Sequence, residues 1–181
     1  VNLQPTENDL FDLCQQGSRK AQMKVYNDYA RGMYNVSLRI VQDTAQAEDI
    51  MQESMITAFA KMADWNRTAT FGSWLKRIVV NNSLTYLRKN KRMPMVAMDD
   101  EQYEQVPDDE PLDLAESGAT ATKVLEVMKT LKESYRQILN LHLIEGMDNE
   151  EISHIMNISH GMCRTTLSRA KTSLKNKMQA L

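Results

Sequence analysis

A stretch that no folded core can absorb divides this chain of 181 residues. From Met93 to about Thr120, Pro94, Pro107 and Pro111 interrupt any helix, and "MDDEQYEQVPDDEPLDLAE" is densely acidic with few large apolar side chains. Residues 99–122 hold 9 Asp or Glu and no Lys or Arg, whereas residues 1–98 carry 13 Lys/Arg against 9 Asp/Glu and residues 123–181 carry 9 against 6. The net charge of -2 therefore conceals two mildly basic segments on either side of a strongly acidic connector. The division predicts two small domains, residues 1–92 and 120–181, joined by an acidic flexible linker over 93–119. Fully extended, such a linker spans on the order of 90 Å. Its plainest role is a solubilising tether, while the basic flanks suit modules that face nucleic acid.

Both flanks read as helix. Six glycines and four prolines in the whole chain, long runs of Ala, Met, Leu, Lys and Gln, and the lack of β-alternation predict an all-α fold. The first helix is expected near Glu7 to Gln16, stopped by Gly17, and the second from Ser18 to Val41, with Val25, Tyr29, Met33, Val36 and Ile40 at helical spacing. "QDTAQAED" then punctuates the chain before a third helix that reaches about Met62. The loop "ADWNRTATFGS" leads to a fourth from Ser73 to about Asn90. In the last third, "ATKVLEVMKTL" and "ESYRQILNLHLIEG" predict two further helices, the second stopped by Gly146.

The third helix carries two faces. Met51, Met55, Ala58 and Met62 form an apolar stripe for a core, and Asp49, Gln52, Glu53, Ile56 and Ala60 form a second stripe on the opposite side. Two carboxylates, an amide and an aliphatic side chain in one outward strip suit either plain solvated surface or a dock for a basic helix.

The end of the chain has the pattern of a helix-turn-helix. Asp148 or Asn149 can cap a short helix with Ile152 and Ile155 inward, Asn157 can take the turn, and Ser159 can cap a longer basic helix. On that helix Cys163, Leu167, Ala170, Leu174 and Met178 make an apolar stripe beside the polar Arg164, Ser168, Lys171 and Lys175. A capped turn followed by a basic helix is the arrangement that docks in a major groove. A second nucleic-acid feature is the stripe Arg77, Asn81 and Arg88, preceded by Trp65, Asn66, Arg67 and Phe71, because aromatics beside cations suit stacking on unpaired bases and contact with phosphates. Trp74 shares a face with Leu75 and Ile78 and reads as core.

Catalytic patterns find no support. Glu151-x-x-His154 is half of a di-iron motif without its second half, His142 and His160 lack metal spacing, and neither a Gly-rich phosphate loop nor a nucleophile elbow is present. Cys14 and Cys163 are far apart with no CxxC pair, which predicts reduced thiols. No run of about 18 apolar residues exists, and "VNLQPTENDLFDL" lacks a basic flank or signal-like stretch, so the expectation is a cytoplasmic protein without catalysis, metal or cofactor.

Taken in order, "AEDIMQE", "FGSWLKRIVVNNSLTYLRKNKR", the acidic linker and "MDNEEISHIMNISHGMCRTTLSRAKTSL" resemble the extracytoplasmic-function sigma factors of bacterial RNA polymerase over nearly the whole chain. The resemblance implies that Asp49, Gln52, Glu53 and Ile56 anchor the protein on the beta-prime clamp helices of core polymerase. It implies that Trp65, Asn66, Arg67, Phe71, Arg77, Asn81 and Arg88 capture the melted minus-ten strand. It implies that Ser159, His160, Arg164, Thr165, Ser168, Arg169 and Lys171 face the minus-thirty-five duplex, with Arg164 first for a base and Lys171 for a phosphate. The linker would thread the RNA channel, and an anti-sigma protein would be a further partner, with any link to a membrane only through it and no small-molecule substrate. Where the family usually has Gly-Thr-Val-Lys/Arg-Ser-Arg, this chain has Gly161, Met162, Cys163, Arg164, Thr165 and Thr166, and where it usually has Asp-Tyr-Leu-Arg, this chain has Thr85, Tyr86, Leu87 and Arg88. These departures bear on which bases are read. The competing reading is a dimeric helix-turn-helix regulator of operator DNA.

Overall fold

The computed structural model describes residues 7–90 and 121–180, so the expected linker lies outside the described residues. The described residues form eight α-helices, one 3₁₀ turn and one π-helical turn, with no strand among them. The chain divides into two compact units that meet in sequence at Leu87 and Arg88.

In the first unit, α1 (Glu7–Gln15), α2 (Arg19–Val41), α3 (Thr44–Ala60) and α4 (Phe71–Lys89) appear near the expected bounds, with a 3₁₀ turn at Met62–Asp64. Gly17 takes a φ of 84°, the left-handed stop its sequence position foretells. Ser18 then caps α2 by accepting from the Ala21 N–H, and Asp43 caps α3 by accepting from the Gln46 N–H at 3.0 Å. Each cap satisfies one of the N–H groups that a first turn leaves without a helical partner. The apolar stripes of α2, α3 and α4 then close one core: Val25, Ile40, Ala47, Met55, Leu75, Val79 and Leu84 are each no more than 2% exposed. Burying a side chain of Leu or Ile size stabilises the fold by about 1.5–3 kcal/mol, so this stripe pairing holds the unit together. A polar seam crosses the same core, where Ser83 on α4 bonds Ser37 on α2 through their hydroxyls at 3.1 Å and also donates to the Val79 carbonyl at 2.8 Å.

In the second unit, α5 (Ala121–Lys129), α6 (Glu133–Leu139) and α7 (Asn149–Met156) pack around α8 (His160–Gln179). All five residues of the stripe foreseen on α8, Cys163, Leu167, Ala170, Leu174 and Met178, are buried. The end of α5 is tied to α8 by Lys177, whose Nζ donates to the Thr130 carbonyl at 2.7 Å and to its hydroxyl oxygen at 3.0 Å.

One helix differs from expectation. The stretch expected to be a single helix up to Gly146 switches after Leu139 to a π-helical turn at Asn140–Ile144, in which the Glu145 N–H donates to the Asn140 carbonyl at 3.0 Å. Gln137, Ile138, Leu139, Asn140 and Leu141 are buried in succession, so the end of α6 and the start of the turn are covered on every side and not along one stripe. Gly146 then ends the element at a φ of 71°.

Candidate functional site

Three surfaces emerge from this scaffold. On α3 the inward positions are Ala47, Ile50, Met51, Ser54, Met55 and Ala58. Asp49, Gln52, Glu53 and Ile56 consequently all point outward, and Ile56 is 69% exposed. Gln52 Nε2 donates to Glu48 Oε1 at 3.3 Å, one turn back on the same helix. The strip is therefore a row of two carboxylates and an amide ending in a bare aliphatic side chain, a pattern that can grip a partner helix by charge on one side and apolar contact on the other.

The second surface begins in the loop before α4. Asn66 Oδ1 accepts from the Thr68 N–H at 3.1 Å and from its hydroxyl at 2.8 Å, closing a side-chain turn. Thr70 Oγ1 accepts from the Ser73 N–H at 3.2 Å and so caps α4. Between these turns Arg67 adopts a φ of 63°, a conformation costing a residue with a Cβ about 1–2 kcal/mol. Its guanidinium lies 5.6 Å from the centre of the Trp65 ring and is ion-paired to Asp12 of α1. Beyond the loop, Arg77, Asn81 and Arg88 are exposed on α4.

The aromatic side chains of this surface are placed differently from expectation. Trp65 and Phe71, expected to stack on bases, are 8% and 2% exposed. Trp65 meets Phe11 edge to face at 5.0 Å and Phe71 at 5.4 Å, and its indole N–H donates to the Ala69 carbonyl at 2.9 Å. Phe71 also meets Phe11 at 4.6 Å and Tyr29 at 5.2 Å. With their faces and edges used within the unit, these two rings support the loop from beneath. Trp74, expected as core, is only half-buried, stacked against Trp65 with ring centres 6.4 Å apart. Sequence reasoning missed it because its apolar neighbours Leu75 and Ile78 share only part of its face.

The third surface is the helix-turn-helix. Asp148 caps α7 in a reciprocal capping box: its carboxylate accepts from the Glu151 N–H at 2.8 Å, and Glu151 Oε2 accepts from the Asp148 N–H at 3.2 Å. That pairing accounts for Glu151 as a cap. Asn157 turns the chain at a φ of 55°, and Ser159 caps α8 by accepting from the Met162 N–H at 3.1 Å. Ser159, His160, Arg164 and Arg169 are exposed along one end and side of α8, with Thr165 and Ser168 half-buried between them. Lys171, expected to reach a phosphate, is instead 9% exposed and grouped with the core face. Two of the departures from the resembled motif, Cys163 and Thr166, also face inward at 0% and 7% exposure, on the packing side of the helix. Burial pushes the Cys14 thiol above its ordinary range, and both cysteines are free thiols inside their units. Among the described residues no cluster of three or more His, Cys, Asp or Glu could hold a metal ion, and no helix is long and apolar enough to cross a membrane.

A helical unit with an outward acidic strip and a basic loop-helix surface, together with a capped helix-turn-helix, is the make-up of a two-part transcription protein. The model of Sigma-70 region 2 matches residues 25–93, and the model of Sigma-70, region 4 matches residues 121–174. The chain is 28% identical over 186 residues to the ECF RNA polymerase sigma-E factor of Haemophilus influenzae, covering 98% of each. It is 27% identical over 179 residues to the ECF RNA polymerase sigma factor SigW of Bacillus subtilis, covering 91% of this chain and 92% of that one. Among solved structures, the sigma factor RpoE in complex with the anti-sigma factor NepR from Bartonella quintana shares the fold at a TM-score of 0.57 and 18% identity, covering 87% of this chain and 96% of that one. CnrH in complex with the cytosolic domain of CnrY shares it at 0.55 and 18%, covering 94% and 96%. The chain belongs to the sigma-70 family, among its extracytoplasmic-function sigma factors. It directs promoter-specific initiation with core RNA polymerase and promoter DNA as its partners, which sets aside the dimeric operator-binding regulator.

Proposed function

We propose that the three surfaces divide the work of initiation, with no bond made or broken by the chain itself. The strip of Asp49, Gln52, Glu53 and Ile56 docks on the beta-prime clamp helices. The exposed outward course of all four from a helix whose other face is buried supports this reading above any other observation. Residues 1–92 form the polymerase-binding and minus-ten domain, and residues 120–181 the minus-thirty-five domain, with 93–119 as the linker.

The loop residues Asn66 and Arg67, with Arg77, Asn81 and Arg88 of α4, engage the unpaired minus-ten strand. Trp65 and Phe71 frame them. Opening a duplex costs a few kcal/mol of stacking for each flipped base, and a basic surface beside a pocket offsets that cost. On α8, Ser159, His160, Arg164, Thr165, Ser168 and Arg169 face the minus-thirty-five duplex, where an arginine can bond guanine bidentately. An anti-sigma protein that covers these surfaces is the regulatory partner this reading calls for, and the setting is the cytoplasm.

The experiment is binding of the full chain to bacterial core polymerase, followed by run-off transcription on fragments of the source genome. Tight core binding with new start sites is expected. Asp49→Lys should weaken core binding about tenfold or more, as reversal of an interfacial charge does, with helicity by circular dichroism unchanged. A loss of helicity in Asp49→Lys would refute the docking assignment, because the site is exposed.

A further inference from the structure

Among the described residues, three without a glycine backbone have positive φ: Gln42, Arg67 and Asn157. Gln42 and Asn157 end helices, where a left-handed residue is ordinary. Arg67 ends no helix. Such a conformation persists where the surroundings over-determine it, and it gathers at ligand clamps.

The surroundings of Arg67 come from α1. Its guanidinium is tied to Asp12 Oδ1 across 55 residues of sequence, and the pair is exposed, at 40% for the arginine side chain and 50% for the aspartate. Asp12 is itself held in place by its neighbour Phe11, which is 2% exposed and wedged against Trp65 and Phe71 at either end of the loop. One turn of α1 thus grips the loop twice, by a ring beneath it and a carboxylate at its tip. This helix precedes residue 25, where the match to region 2 begins.

A carboxylate at that place is electrostatically adverse if the loop meets phosphates, since it lowers the positive potential that draws a strand in. Its presence needs another reason. We propose that Asp12 is a positioning residue for capture of the minus-ten strand: it holds Arg67, and through it the loop of residues 66–70, in the strand-accepting conformation. Of the five N–H donors of a guanidinium, those not given to Asp12 are then aimed rather than free to search. The inference rests on the assignment of this loop to the minus-ten strand.

The test uses holoenzyme reconstituted from the full chain and core polymerase, with the promoter that the wild-type protein selects built as a fork: duplex through minus-thirty-five, unpaired in the minus-ten non-template strand. Asp12→Asn should weaken fork binding about two- to fivefold, the range of an exposed ion pair, while core affinity and binding to the minus-thirty-five duplex stay unchanged. Asp12→Glu should restore at least half of the loss. In an Arg67→Gln background, Asp12→Asn should have no further effect. Simple electrostatics predicts the opposite sign, because removing a negative charge tightens DNA binding. Equal or tighter fork binding by Asp12→Asn, or a loss that persists without Arg67, overturns the proposal while leaving the loop assignment standing. If Arg67→Gln alone leaves fork binding unchanged, the loop assignment falls first and the role of Asp12 falls with it.

Discussion

Asn82 on α4 donates a hydrogen bond from Nδ2 to the hydroxyl oxygen of Ser54 on α3 at 2.9 Å. Ser54 is fully buried and donates in turn to the Ile50 carbonyl at 2.6 Å. The helix bearing the outward acidic strip is thereby keyed to the helix bearing Arg77 and Asn81. Ser54→Ala should cost about 1 kcal/mol, the usual net worth of such a bond, in urea unfolding of the full chain. Adding Asn82→Ala should cost less than the sum of the two single changes, and strict additivity would mean that the pair is not coupled.

Arg164 is exposed on the second turn of α8, and the proposed function gives it a base to read. Arg164→Ala should lower discrimination at one base pair of the minus-thirty-five element by about 1–3 kcal/mol, measured across single-substitution promoter variants. A uniform loss over all sequences would make it a phosphate contact. Lys171→Ala should behave differently: its stem belongs to the core face, so stability should fall by about 1 kcal/mol while the salt dependence of DNA binding stays put.

The turn between α7 and α8 depends on a single left-handed residue. Asn157→Gly should be neutral in thermal unfolding, whereas Asn157→Ala should destabilise by about 1 kcal/mol, because a Cβ without a polar side chain is disfavoured at that φ. Equal stability of the two variants would show that the turn relaxes out of the left-handed region.

The Cys14 thiol, raised by burial, gives a pH dependence with a definite sign. The unfolded chain releases this proton at lower pH than the folded one, so the contribution is fully present below the ordinary thiol range and is lost as pH climbs through the folded value. Stability of the wild-type chain should therefore fall between about pH 8 and pH 10 more steeply than that of Cys14→Ala, whose cavity cost is constant with pH. Parallel curves would mean that the thiol titrates alike in both states.

Much of this was legible because it is local. Gly17, Asp148, Asn157 and Ser159 are signals read within a few residues, and each occupies the cap or turn its chemistry favours. The stripes on α3 and α8 are equally local, since helical spacing alone separates Met51 and Met55 from Asp49 and Glu53. The aromatic loop was not legible in the same way. Trp65 lies outside any periodic segment, and its burial depends on Phe11 from a helix far back in sequence. The burial of Lys171 was illegible for a related reason: it borders the apolar stripe of α8, and only the packing of the neighbouring helices decides which side of that border is covered. The tie between Asp12 and Arg67 carries no sequence signal at all, since lone exposed charges are ordinary.

The π-helical turn at Asn140–Ile144 leaves one surplus residue in the helical count between α6 and the helix-turn-helix. A π-helical turn places residue i+5 over residue i much as an α-helical turn places i+4, so the turn takes up the surplus residue within itself, and deleting one position there would restore a regular helix while leaving downstream side chains near their present phase. Two chains that differ by a single residue here would therefore keep nearly the same faces of α7 and α8 turned outward. The turn is in that sense a slack point, where the length of the chain can change by one without re-aiming the helices that follow.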